Sequence, residues 1–222
     1  MKLNKGSSIR LAKDDDNLSE VTIGCSWGEH GHNIDVDAMV FFLDDRARYR
    51  LIDLVYYGNR TECREYVKHY GDDTTGSNKQ HESDNEVIFL QLDKIPERVT
   101  SVAVVLNAYT GEKLSRVPNL KCRVYSGKPG EVQDVLGTFD ITDQDSLKTT
   151  SVVVGYFEKD ASNEWNFRAD GEALQAHRVE QLKNAFNMPK NTDTQNDCSG
   201  VTVSAPVKAE GTVWGFVKGL FS

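Results

Sequence analysis

Asn33-Ile34-Asp35-Val36-Asp37-Ala38-Met39-Val40-Phe41-Phe42-Leu43 is the stretch that decides the architecture. Its first half alternates strictly between oxygen-bearing and apolar side chains, and its second half, from Ala38, is nearly all apolar. In an extended strand, residues i, i+2 and i+4 lie on one face. Asn33, Asp35 and Asp37 therefore stack together while Ile34 and Val36 face a core. The run from Ala38 to Leu43 suits a strand buried on both faces.

Outward from this segment, the chain reads as short strands separated by turn residues. Val21–Trp27, Leu51–Tyr57, Val87–Leu92, Val99–Leu106, Lys121–Tyr125, Val135–Ile141, Ser151–Phe157 and Trp165–Ala169 complete the set. Gly, Asn and Asp fill the gaps, as turns require. Many short strands and few helices predict a mainly β fold, a two-sheet β-sandwich. A helix is expected from Gly171 through Phe186, where Leu174, Val179, Leu182, Ala185 and Phe186 recur at roughly helical spacing. The next stretch is polar and without periodicity, with Pro189 and Pro206 in it. The expected organisation is a domain over residues 1–187, a flexible linker over 188–206 and an amphipathic docking segment over 207–222.

In that last segment Val213, Trp214, Phe216, Val217, Leu220 and Phe221 fall within an arc of about 160° on a helical wheel. Four glycines stand among residues 200–222, three of them from Gly211 onward, and each costs a helix about 1 kcal/mol. The segment is thus expected to order only on contact. Trp214, Phe216, Val217, Leu220 and Phe221 are its anchors for a partner, another copy of the chain or a membrane surface.

Composition narrows the function. A chain of 222 residues with 38% hydrophobic content is long enough for one well-buried domain and an appendage. The formal net charge of −8 and the lack of a basic cluster argue against nucleic acid as a partner. No apolar run reaches the roughly 18 residues that suggest a membrane span. The opening Met1-Lys2-Leu3-Asn4-Lys5-Gly6 has no apolar core of a secretory signal. A cytoplasmic location is expected, with membrane contact at most peripheral, at the inner membrane. Cys25, Cys63, Cys122 and Cys198 are scattered singly, which reads as four free thiols rather than zinc or redox chemistry.

Three acidic and amide clusters carry the chemistry: Asn33, Asp35 and Asp37; Asp72 and Asp73 within Gly71–Gly76; and Asp84, Asn85 and Glu86. Aligned carboxylates repel unless a cation or solvent screens them. Many oxygens on flexible loops suit Ca²⁺, which takes roughly six to eight, better than Mg²⁺, which keeps its waters. The pattern is not an EF-hand: counted from Asn33, the required glycine and glutamate positions hold Ala38 and Asp44.

Taken in order, these blocks resemble the TerD family of tellurium-resistance and stress-response proteins over roughly residues 1–186. Leu3-Asn4-Lys5-Gly6 with Leu11 resembles the family's L-x-K-G-x-x-x-x-L, and Val21 to Trp27 its V-x-V-G-L-x-W. Asn33 to Ala38 is similar to D-x-D-L-D-A, with asparagine first, and Val55 to Asn59 to V-Y-F-x-N, which adds Asn59 as a candidate ligand. Gly71 to Gly76 resembles G-D-N-x-T-G, and Ser83 to Glu86 resembles G-D-D-E. Asn107 to Gly111, Val117, Asn119 and Cys122-Arg123 follow N-x-Y-T-G…V-x-N-x-x-C-R, and Trp165 to Ala169 follows W-x-x-x-A. The resemblance implies a β-sandwich with paired Ca²⁺ sites, cytosolic and working beside other Ter proteins, a membrane-bound one included. It implies no reaction. Six carboxylates at matched positions (Asp35, Asp37, Asp72, Asp73, Asp84 and Glu86) face the four positive charges of two calcium ions. The segment between Tyr57 and Gly71, with Cys63, Arg64 and Lys68, is expected at the rim of the site.

The leading expectation is a non-enzymatic calcium-binding adaptor of a tellurite or stress-response system, with homo-oligomerisation through the tail as one option. Two alternatives stand beside it. One is an assembly protein of a particle or phage built on the same domain. The other is a metal-dependent hydrolase, against which stands the lack of a Gly-rich phosphate loop or a Ser-His-Asp set.

Overall fold

The computed structural model describes residues 1–13, 16–28, 34–44, 50–59, 64–75, 84–131, 134–141 and 148–186. Asn33, Cys63, Ser83, the linker over 188–206 and the docking anchors Trp214, Phe216, Val217, Leu220 and Phe221 lie outside the described residues.

The decisive segment forms β6 (Val36–Asp44), and its two faces are buried for different reasons. Val36, Ala38, Val40 and Phe42 point into a core shared with Ile23, Ile88, Val104 and Val124. Met39, Phe41 and Leu43 point the other way, into a second core with Leu182 and Phe186. A strand with a sheet partner below and a helix above carries no polar face from Ala38 to Leu43, and the alternation is confined to the stretch before it.

The remaining strands are β1 (Lys2–Leu3), β2 (Ser8–Arg10), β3 (Ala12–Lys13), β4 (Asp16–Asn17), β5 (Glu20–Ser26), β7 (Arg50–Val55), β8 (Val67–His69), β9 (Glu86–Gln91), β10 (Ser101–Ala108), β11 (Lys121–Ser126), β12 (Val135–Asp140), β13 (Ser151–Lys159) and β14 (Trp165–Leu174). They build two six-stranded sheets, ordered β1-β12-β11-β5-β9-β8 and β2-β14-β13-β10-β6-β7, and β3 pairs with β4 as a separate ribbon. The inner faces of the two sheets supply the main core, as expected for a sandwich. All nine strands read from the sequence are present; the two- and three-residue strands β1 to β4 and β8 are too short to show a period.

At the edge where β7 and β8 end their sheets, a polar group joins the apolar packing of Ile52 and Tyr66. Asp53, 7% exposed, accepts from Tyr66 Oη at 2.8 Å and from Arg64 Nη2 at 2.7 Å, with Arg64 Nε on its other oxygen. Arg64 thus fastens the sandwich edge, a role different from the rim position expected of it.

The helix is shorter than its periodicity suggested. Strand β14 continues to Leu174, and α1 covers only Val179–Ala185. Gly171 takes φ +79°, a conformation that costs other residues a steric penalty, and the β13–β14 register shifts between Val153 and Gly155. That kink carries Leu174 back over the second core, so its apolar spacing is served by a strand. Gln181 Oε1 accepts from the His177 and Arg178 N–H groups at 3.1 and 3.2 Å, satisfying donors at the helix start. Phe186 stacks on Phe41 with ring centroids 4.5 Å apart.

Candidate metal centre

Alternation along the segment places Asp35 and Asp37 on the outer face of the second sheet, in line with Met39 and Phe41 but beyond the cover of α1. Asp37 stands in register with Asn107 on β10, and the Tyr109 N–H donates to Asp35 O at 3.0 Å, so the acidic stretch is held as an extension of the sheet. Asp72 reaches the same place from the loop after β8. One carboxylate oxygen from each of Asp35, Asp37 and Asp72 lies within 4.8 Å of the others.

Asp37 is 1% exposed. Asp35 Oδ1, Asp37 Oδ2 and Asp72 Oδ1 are buried, and none of them has a hydrogen-bond partner among the described residues. Burial first, then the Asp72 and Asp73 charges, raises the Asp35 carboxyl to about 6. Burial, then the Asp35 and Asp72 charges, raises Asp37 to about 7, with a hydrogen bond from Asn107 acting in the opposite direction. Tyr57 flanks the group; burial, Tyr109 and the Asp37 charge all raise its phenol. Its ring stands edge-on to Tyr109 at 5.8 Å and to Tyr56 at 5.2 Å.

The donor set fits a hard cation. Ca²⁺–oxygen bonds are about 2.3–2.6 Å, so oxygens on one such ion lie within about 5.2 Å of one another. Three converging carboxylates, each with one buried oxygen left without a partner, meet that condition and carry the charge that desolvation otherwise makes costly. Asp35, Asp37 and Asp72 would hold the ion.

The other acidic residues read from the sequence are placed differently. Glu86, fully buried at the start of β9, works as a clamp. Its Oε2 accepts the Ala38 N–H at 2.7 Å and its Oε1 the Asp73 N–H at 3.3 Å. These are the backbone groups directly after Asp37 and Asp72, so one carboxylate sets the spacing of two ligand candidates on different elements. Burial raises the Glu86 pKa well above its ordinary value, while these two hydrogen bonds oppose that rise. His69, 5% exposed, stands beside it. Its Nε2 lies 3.2 Å from Ala38 O and its Nδ1 accepts from the Gly71 N–H at 3.2 Å, which fixes the neutral tautomer with the proton on Nε2.

Asp73 folds its loop rather than joining the three. Its Oδ1 accepts from Thr75 N at 3.0 Å and from Thr75 Oγ1 at 2.9 Å, and its Oδ2 accepts from Asn85 Nδ2 at 2.8 Å. Asn85 Oδ1 in turn accepts from Trp27 N at 3.0 Å. Asn59 donates from Nδ2 to Leu54 O at 2.6 Å and bridges back to Tyr56, closing a turn after β7.

Asp84 faces the opposite side of the sandwich. It sits over the outer face of the first sheet, bonded to Arg123 Nη2, to Arg123 Nε at 3.1 Å and to Tyr125 Oη at 2.9 Å. Gly24 lies beneath it: a Cβ there would collide with the Asp84 carboxylate, so only glycine leaves room for the pair. Sequence reasoning missed Arg123 because its partner is 39 residues away. It also gave Asn107, Tyr57 and Tyr109 no part in the site, although all three stand in blocks singled out for the family resemblance.

The described residues contain no helix long and apolar enough to cross a membrane. Comparison with known proteins adds the following. The TerD domain family matches residues 1–186. The uncharacterized protein YceE of Bacillus subtilis (strain 168) is 29% identical over 183 residues, spanning 78% of this chain and 91% of its own. Tellurium resistance protein TerZ of Serratia marcescens is 27% identical over 192 residues, spanning 81% and 93%. Tellurium resistance protein TerD of the same organism is 26% identical over 178 residues, spanning 77% and 88%. Among solved structures, a homologue of telluride resistance protein from Streptomyces coelicolor A3(2) superposes with a TM-score of 0.60 at 17% identity, covering 78% of this chain and all of that one.

Proposed function

This chain belongs to the TerD domain family of tellurium-resistance and stress-response proteins, and on that premise we propose that it is a calcium-binding adaptor without catalytic activity. The observation that carries the reading is the convergence of Asp35, Asp37 and Asp72, each of which also has a buried oxygen without a hydrogen-bond partner. Burial and mutual repulsion raise the Asp35 and Asp37 carboxyls, which is costly for the fold, and a divalent cation would remove both costs at once.

The ion supplies positive charge at the junction of two elements, the approach to β6 and the loop after β8. The residues around it do the rest. Glu86 fixes the spacing of the two elements, Asp73 and Asn85 hold the loop against Trp27, and Asn107 orients Asp37. Tyr109, 51% exposed, stands on Tyr57 at the rim and presents an aromatic surface of the kind enriched in protein interfaces. Calcium-dependent order at this surface is the adaptor's switch. Its partner is another component of the same resistance system, a membrane-bound one included, and residues 207–222 supply a second contact. The relatives named for tellurium resistance and the exposed aromatic rim support this reading.

Thermal melting of the full chain with calcium and with EDTA tests it. Binding to the native state alone adds about 2.7 kcal/mol at a hundredfold excess over Kd, so calcium should raise Tm by several degrees. An identical Tm in calcium, magnesium and EDTA refutes the reading.

A further inference from the structure

We propose that Cys25 and Cys122 form an oxidative modification site that closes into a cross-strand disulfide on reaction with a hydroperoxide. The two cysteines stand directly opposite each other on β5 and β11, the middle strands of the first sheet. Both side chains point into the core between the sheets, with exposures of 0% and 2%.

The phase of the hydrogen-bond ladder settles whether they can meet. The Gly127 N–H donates to Glu20 O at 2.9 Å, and the Leu92 N–H donates to Ser19 O at 2.7 Å. Even-numbered residues of β5 therefore bond toward β11 and odd-numbered ones toward β9. Cys25–Cys122 is thus a non-hydrogen-bonded pair with respect to β11, where Cα atoms lie about 4.5 Å apart and side chains approach most closely. Disulfides span Cα separations of about 4.4–6.8 Å, so closure needs no movement of either strand. Cys122 stands near enough to raise the Cys25 thiol.

The chemistry balances with hydrogen peroxide as oxidant. The Cys122 thiol gives up its proton and its sulfur attacks one peroxide oxygen; the O–O bond breaks, a sulfenic acid forms, and the departing hydroxide takes that proton and leaves as water. The Cys25 sulfur then attacks the sulfenic sulfur, the S–O bond breaks, and hydroxide leaves with the Cys25 proton as a second water. Two thiols give up two protons and two electrons, and one peroxide becomes two waters. Cys25 suits the resolving role: the neighbouring Cys122, then burial, raise its thiol and keep it protonated. Burial also makes the first step slow. The bridge would fasten the centre of the first sheet. Cys25 O accepts the Asn85 N–H at 2.7 Å, which links the bridge to the network that holds Asp73.

The test uses the full chain carrying Cys63→Ser and Cys198→Ser. One arm treats the folded protein with hydrogen peroxide; the other refolds it from denaturant in a glutathione redox buffer, which removes the barrier of access. Each is alkylated, digested and mass-analysed. The expected product in both arms is a linked Cys25–Cys122 peptide lacking two hydrogen atoms, reversed by dithiothreitol, absent when Cys122→Ala is added, and accompanied by a higher Tm. Free thiols or sulfinic acids without a linked peptide in the peroxide arm overturn the site as a peroxide-responsive one. Absence of the link from both arms overturns the geometry.

Discussion

Asp37→Asn should stabilise the calcium-free protein and weaken calcium binding, a reversal of sign that a merely structural aspartate would not give. In the folded chain Asp37 is raised from 3.8 to about 7 by burial and by the Asp35 and Asp72 charges. Each pKa unit is about 1.36 kcal/mol, so ionising Asp37 at pH 7.5 costs the calcium-free fold up to about 4 kcal/mol. Asparagine keeps the shape, removes the charge and keeps a polar atom within reach of Asn107. Its own buried amide cancels part of the gain, which leaves about 2–3 kcal/mol. For a chain of this size that is a rise in Tm of about 4–12 °C in EDTA. With calcium present the order inverts, because one of three charged ligands is gone, and the calcium-induced rise should shrink or vanish. Differential scanning calorimetry of both proteins at pH 7.5, with EDTA and with calcium, reads all four values. An Asp37→Asn protein that melts below wild type in EDTA refutes the electrostatic reasoning.

The pH dependence of the calcium-free protein follows from the same groups. Asp35, Asp37 and Glu86 all have folded pKa values above their ordinary ones. The folded state therefore binds more protons, and the stability this gives is full below about pH 4 and lost as pH rises through about 6 and 7. Calcium should reverse the slope, since a bound cation holds the carboxylates ionised; urea unfolding from pH 4.5 to 8 with and without EDTA reads both curves, and parallel curves would contradict it. Arg123→Met leaves the fully buried Asp84 without its cation, so stability should fall by about 3 kcal/mol while calcium affinity changes little; a large loss of affinity would put Asp84 in the metal site. Thr75→Ala removes the hydroxyl bond to Asp73, about 1 kcal/mol, and should weaken calcium far less than Asp37→Ala; equal losses in calorimetric titration would shift the site to the loops.

The sandwich was legible because one interior strand declares itself. Alternation from Asn33 to Asp37 and then an apolar run to Leu43 describe a strand whose outer face turns from apolar to acidic at one end, and in β6 that face passes from Phe41 and Met39 to a buried Asp37. The helix boundary was misread at Leu174 because a strand bent at Gly171 returns apolar residues to the same face at near-helical spacing. For the site, the sequence identified the carboxylates but not which of them converge. Asp72 and Asp73 are neighbours of like charge, and only the Asn85 and Thr75 contacts turn Asp73 away from Asp37. Glu86 looked like a ligand since nothing local shows that it would meet the Ala38 N–H, 48 residues distant. Burial of a charge, the property that separates ligand from clamp from ion pair, arises from packing between sheets and has no local signature.

Calorimetric titration of the full chain with calcium, and with magnesium as control, tests the central claim most directly. Saturable calcium binding with at least one ion per chain, weaker magnesium binding, and loss of the signal in Asp37→Ala are expected. No calcium heat, with an unchanged Tm, or full binding by Asp37→Ala would contradict it.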